Sequence, residues 1–263
     1  AIVFPNLEVT GAYSSTFSDC SDKIIEVVFP EKMKIVPSNL FWGCSNLEKV
    51  TLAQNTEKLG SYSFYCCSSL KSIELPDTVT EIGSNCFYNT GLEEIKLPAS
   101  VTKLGSGCFN ACKALTAIEI PEGISRLENS CFSGCEALET VVIPSSVKEI
   151  GSSCFYNCKA LQSISLPEGL EKVEKQAFAH CSALQSVEIP ENVDALGVGC
   201  FVNCKQLNNI KLGSKITEVP NDCFANCSEL TTITGGENIT KIGDNAFSFC
   251  GKYTGNSFLE NLE

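Results

Sequence analysis

The side chains most able to do chemistry in this 263-residue chain are thiols: it holds 17 cysteines and a single histidine, His180. Cys154 and Cys158 stand four residues apart in "CFYNC". Pairs spaced this way have three chemical uses. As thiolates they would hold zinc or an iron–sulfur cluster, and Cys131, Cys135, Cys154 and Cys158 would supply four sulfurs if neighbouring segments stack. As oxidised pairs they would form disulfides, which need α-carbons about 4.4–6.8 Å apart. Activated by a base they would act as nucleophiles, with His180 beside Cys181 the only imidazole on offer. A fourth reading is structural: a free cysteine packs as a small apolar residue and is among the most often buried types.

Register discriminates among these uses. Leu115, Leu138, Leu161, Leu184, Leu207 and Leu230 each lie 23 residues apart. Around them returns the frame L-x-x-I-x-L-P-x-x-V-x-x-I-G-x-x-C-F-x-x-C. Its phenylalanine column runs Phe41, Phe64, Phe87, Phe109, Phe132, Phe155, Phe178, Phe201, Phe224 and Phe247, with one spacing short by a residue at "YNTGLEE". Ten units span residues 24–252. A degenerate unit over 1–23 keeps Phe17 and Cys20 in register, and 253–263 form a tail or cap, so a single domain over 1–263 accounts for the chain. Sixteen cysteines fall in two columns, one before the Phe (Cys86, Cys108, Cys131, Cys154, Cys200, Cys223) and one three residues after it. Only Cys66 is out of register. Ala177 and Ala246 substitute in the first column, so that position asks for a small apolar side chain.

The frame implies a solenoid. Alternation in "L-x-x-I-x-L" suits a short strand with one buried face, and the following proline ends strand pairing. Gly60, Gly83, Gly105, Gly151, Gly197 and Gly243 mark a sharp turn, and Ser84, Ser106 and Ser152 sit where a helix N-cap belongs. Asn89, Asn157, Asn203 and Asn226 fall where left-handed backbone ends such a helix. The expected fold class is therefore α/β, with a parallel sheet on one face and short helical turns opposite. One unit cannot bury its own apolar face, but stacked units bury a continuous one. On a helical turn the two cysteines of "CFYNC" point inward together. Core thiols are thus expected at Cys108, Cys112, Cys131, Cys135, Cys154, Cys158, Cys200, Cys204, Cys223 and Cys227, with no cofactor and no metal.

These residues resemble the BspA-like leucine-rich repeat, whose unit reads close to "LPxxVxxIGxxAFxxCxxLxxIxI". The resemblance implies a right-handed leucine-rich-repeat solenoid of about ten 23-residue units. It also implies a non-enzymatic protein on the surface of a host-associated microbe, in several members an adhesin for host proteins or cells. Here cysteine replaces the family's alanine before the Phe, which would suit an oxygen-poor niche.

Composition limits the partners. The net charge of −12, with 31 acids against 19 bases, is opposite to what a phosphate backbone recruits, so nucleic acid is not expected. No run of about 18 apolar residues is present to span a membrane. The chain opens "AIVFPNLEVT" without a charged start or apolar h-region, and reads as a processed chain. No G-x-S-x-G, P-loop, G-x-G-x-x-G or H-E-x-x-H occurs, and Glu93–Glu94 reads as a solvated face. Asn226-Cys227-Ser228 and Asn238-Ile239-Thr240 match a glycosylation acceptor.

The candidate binding residues are aromatic. The column after the Phe begins Trp42, Tyr65, Tyr88 and returns to aromatic at Tyr156. Three successive coils would stack the first three as a ladder that either shelters the turn or meets a partner, a protein or glycan on a host or neighbouring cell. The alternatives are a structural spacer or envelope protein without a specific ligand, and a thiol-rich metal or redox protein.

Overall fold

The computed structural model describes residues 2–3 and 17–254. The chain winds through about nine turns of roughly 23 residues as a parallel-strand solenoid. Each coil contributes up to two strands. The first ladder comprises Ile2–Val3, Glu26–Val28, Lys49–Thr51, Ala117–Glu119, Thr140–Val142, Ser186–Glu188, Asn209–Lys211 and Thr232–Thr234. The second consists of two-residue strands such as Lys58–Leu59, Glu81–Ile82, Lys103–Leu104, Glu149–Ile150 and Lys172–Val173. Pairing is parallel throughout and in repeat register, as in Ile210 with Ile233 and Ile150 with Val173. This second ladder was not expected from the sequence. Its strands present one inward and one outward residue each, too little for alternation to register.

The expected helical turns are not what the chain forms. Among the described residues the one helical segment is a 3-10 turn, Ser18–Lys23. The stretch through "CF" is instead a run of overlapping β-turns. In the coil of Phe155, Cys154 N–H donates to Gly151 O at 3.2 Å, Tyr156 N–H to Ser153 O at 3.1 Å, and Cys158 N–H to Phe155 O at 3.2 Å. Ser153 and Asn157 sit at φ +55 and +61, so left-handed residues flank the phenylalanine two positions away on both sides. The alternation leaves the N–H groups of Ser153, Phe155 and Asn157 pointing along the solenoid axis, where they donate to Lys175, Ala177 and Ala179 carbonyls at 2.8–2.9 Å. The same three bonds recur coil after coil.

The glycine column has a different cause from the one expected. Among these glycines none carries a positive φ. A Cβ on Gly151 would lie 2.7 Å from Asn129 Oδ1 and 2.8 Å from both Asn129 N and Leu127 O, in the preceding coil. Close approach of coils is the constraint. From Gly105 on, larger residues alternate with glycine (Glu128, Gly151, Glu174, Gly197, Pro220, Gly243). Ser84, expected as an N-cap, uses its backbone: its N–H donates to Ser61 Oγ in the preceding coil at 3.2 Å.

The core is a stack of phenylalanines. Phe41 through Phe247 lie ring on ring with centroids 5.4–5.8 Å apart and planes within 16°. Phe17 extends the stack at 5.4 Å from Phe41, and Ile2–Val3 pairs with Val27–Val28. Gly151→Ala is expected to lower stability by roughly 1–3 kcal/mol in urea titration. Gly251→Ala, with nothing within 4 Å of the added carbon, should stay within about 0.5 kcal/mol of the parent.

Candidate functional site

All the expected core thiols lie in the interior: Cys108, Cys112, Cys131, Cys135, Cys154, Cys158, Cys200, Cys204, Cys223 and Cys227 have no exposed surface. The sixteen cysteines whose side chains are described are free thiols, and Cys66 alone among them is half-buried. The column after the Phe does more than fill space. Cys158 Sγ donates to Phe132 O at 3.2 Å, and that carbonyl already accepts Cys135 N–H at 3.1 Å within its own coil. The same thiol bond recurs from Cys67, Cys112, Cys135, Cys181, Cys204, Cys227 and Cys250 at 3.0–3.3 Å. Where the column holds Thr90, its hydroxyl donates instead to Phe87 O of its own coil, at 3.0 Å. The position therefore calls for a small buried donor, and cysteine combines that with apolar volume.

Burial governs the reactivity of these thiols. It pushes Cys112 up to about 11, and Cys86 and Cys181 up to about 12, while Cys108, Cys135 and Cys154 are also raised well above the usual range. A thiolate, the form needed for nucleophilic attack and for metal ligation, is thus disfavoured. Among the described residues no three His, Cys, Asp or Glu side chains are grouped to hold a metal ion. His180 and Cys181 have separate partners: Cys181 donates to Phe155 O, whereas the His180 ring lies against Tyr156 at 4.9 Å, with Asn203 Nδ2 3.4 Å from its Nε2.

On the turn face, Trp42 and Tyr65 stack at 4.1 Å and Tyr65 and Tyr88 at 4.5 Å. A fourth ring joins them: Tyr62 lies 5.3 Å from Trp42 and 5.8 Å from Tyr65. Sequence reasoning missed Tyr62 because its column otherwise holds residues such as Asn39, Asn85 and Ser153. Trp42 is 39% exposed and the three tyrosines are half-buried. Tyr156, three coils further on, lies against His180 and does not join the ladder. Partial burial, with Cys66 and Tyr88 beside it, pushes the Tyr65 phenol above its usual value, which keeps it neutral. Stacking covers the inner ring faces, so the ladder offers outside groups mainly ring edges.

The thiol shifts set a pH dependence. Below about pH 8.5 the thiols are protonated in folded and unfolded chains alike, and stability is unaffected by them. Above it the unfolded chain releases protons that the folded chain retains until pH 11–12. Each such thiol lowers stability by about 1.4 kcal/mol per pH unit across that window. Cys86, Cys112 and Cys181 alone contribute about 4 kcal/mol per unit to the slope, steep against a stability of about 5–15 kcal/mol. Urea midpoints should be flat from pH 6 to about 8.5 and fall sharply between about pH 9 and 11.

The family model described as "BspA type Leucine rich repeat region (6 copies)" matches residues 36–162 and 125–254. No curated protein matches the chain. Among solved structures, a leucine-rich repeat protein from Bacteroides ovatus is 26% identical, with a TM-score of 0.70 over 88% of this chain and 66% of its own. The chain thus spans about two thirds of that protein. One from Eubacterium ventriosum is 20% identical, with a TM-score of 0.57 over 99% of this chain and 85% of its own. One from T. pallidum is 21% identical, with a TM-score of 0.55 over 73% and 80%. Period, thiol column and fold agree: the chain belongs to the BspA-type leucine-rich repeat family.

Proposed function

We propose that the protein is a non-enzymatic binding module, displayed outside the cell, that engages a protein partner through Trp42, Tyr62, Tyr65 and Tyr88. The aromatic ladder carries this reading. Aromatic side chains anchored in a rigid scaffold are favoured interface residues, because few rotamers are lost when they are covered. Here the backbone ladders hold them, and stacking fixes their rings. Ring spacings of 4.1 and 4.5 Å leave no gap for a sugar to lie on a ring face within the ladder, which favours a protein over a glycan at this site. Repeats of this family commonly serve protein binding or adhesion, which agrees with display outside the cell.

Catalysis has little support by comparison. The described thiols other than Cys66 are buried, eight of them are hydrogen-bonded to carbonyls, and the histidine is remote from any activated nucleophile. The test is capture of immobilised extracellular-matrix proteins by the parent and by a Trp42→Ser, Tyr65→Ser, Tyr88→Ser variant. Saturable capture that the variant weakens at least tenfold, about 1.4 kcal/mol, is the expected result. Equal capture by both proteins, or none by the parent, would refute the ladder as an interface.

A further inference from the structure

The outward side of the first ladder changes character along the chain. In the N-terminal coils it is charged: Lys49 pairs with Glu26 at 2.9 Å and Lys71 with Glu93 at 3.0 Å. Further on, the two outward positions before each buried strand residue hold Gln162 and Ser163, Gln185 and Ser186, then Asn208 and Asn209, all exposed. Ser163 pairs with Ser186, and Ser186 with Asn209, in parallel register. The six side chains thus form three rungs at a strand spacing of about 4.8 Å. Among the described residues none of the six side chains has a hydrogen-bond or ion-pair partner in the chain. The next rung is different, since Thr231 Oγ1 donates to Asn208 O at 3.1 Å and lies 3.3 Å from Thr232 Oγ1. Beside the rungs, Ser165 is uncharged and Glu188 is neutralised by an ion pair with Lys211.

Three features of this face define what fits it. Its six side chains carry no charge on a chain of net charge −12, so they offer no counter-charge to an ionic ligand, and the surrounding field, the exposed Glu139 of the preceding coil included, repels acidic ones. The rungs hold no aromatic, arginine or large apolar anchor, the groups that carry protein–protein affinity. A protein covering them would desolvate polar groups with little apolar burial to offset the cost. Side-chain amides and hydroxyls each donate and accept at once, as do the hydroxyls of a sugar. We propose that Gln162, Ser163, Gln185, Ser186, Asn208 and Asn209 form a docking face for an uncharged polysaccharide lying along the solenoid axis. Successive sugar residues would be hydrogen-bonded by successive rungs. Each exposed bond is weak in water, so short oligosaccharides bind poorly and polymers gain through repetition.

The test is affinity electrophoresis in gels cast with laminarin, mannan, soluble starch or hydroxyethylcellulose, with alginate as the acidic control and mobility referred to a polymer-free gel. The parent should be retarded by at least one neutral polymer, not by alginate, and equally at high salt. A Gln162→Glu, Gln185→Glu, Asn208→Asp variant keeps side-chain shape but replaces amide donors with charge. It should lose at least tenfold in affinity while its circular dichroism is unchanged. The Trp42→Ser, Tyr65→Ser, Tyr88→Ser variant should be retarded like the parent, which separates this face from the aromatic ladder. No retardation in any neutral polymer, equal retardation of the carboxylate variant, or loss in the aromatic variant would each overturn the proposal.

Discussion

Everything in this molecule depends on how the turn face satisfies its own backbone. A solenoid coil has no neighbour but the coils above and below it, so any amide not bonded within its coil must point along the axis. Left-handed residues two positions before and after each phenylalanine produce that orientation, as at Ser153 and Asn157. Eight of the phenylalanine carbonyls then receive two hydrogens, one from the amide three residues on and one from a thiol of the following coil, as Phe132 does from Cys135 and Cys158. The ring beneath is locked between its neighbours in the stack. Register between coils is fixed at backbone, thiol and ring together, and the two strand ladders follow from it.

This arrangement explains why a chain with so many thiols offers so little thiol chemistry. The bond to the phenylalanine carbonyl uses the S–H proton, so ionisation or oxidation would remove the donor that the fold requires. What the repeat leaves free to vary points outward. The aromatic ladder occupies two such columns on the turn face, that of Trp42, Tyr65 and Tyr88 and that of Tyr62, and the amide rungs occupy two on the strand face. Ion pairs fill much of the remaining outward surface, including Arg126 with Glu149 and Lys172 with Glu149. The Arg126–Glu149 pair is partly buried, but the exposed pairs contribute little to stability, and their two signs nearly cancel along the second ladder.

Period, buried columns and the stacking of Trp42, Tyr65 and Tyr88 were legible in the sequence, because each is a consequence of 23-residue register alone. The helical turn was misread for a physical reason. Residues four apart share a side both on a helix and on a turn run with two left-handed residues, so the "CFYNC" spacing cannot separate them. The distinguishing signal was the paired asparagines and glycines flanking the phenylalanine, such as Asn39 with Gly43 and Asn85 with Asn89. Two left-handed positions four apart exclude a helix between them. The glycine column was read as a sharp turn when it reflects contact, since the clash partners at Gly151 lie a full coil away. The thiol bond to a carbonyl 26 residues earlier has no local signature at all.

The central claim, that both cysteine columns are protonated core thiols and that the column after the Phe donates hydrogen bonds to carbonyls, is tested most directly by counting thiols. The protein would be alkylated with iodoacetamide at neutral pH, native and then in guanidinium without reductant, and its intact mass read after each step. The account predicts that the fifteen buried cysteines, as distinct from half-buried Cys66, stay unmodified in the native protein. It predicts that all 17 cysteines of the chain label once it is unfolded. Fewer labels after unfolding, from disulfides, or rapid native labelling of the two columns would contradict it.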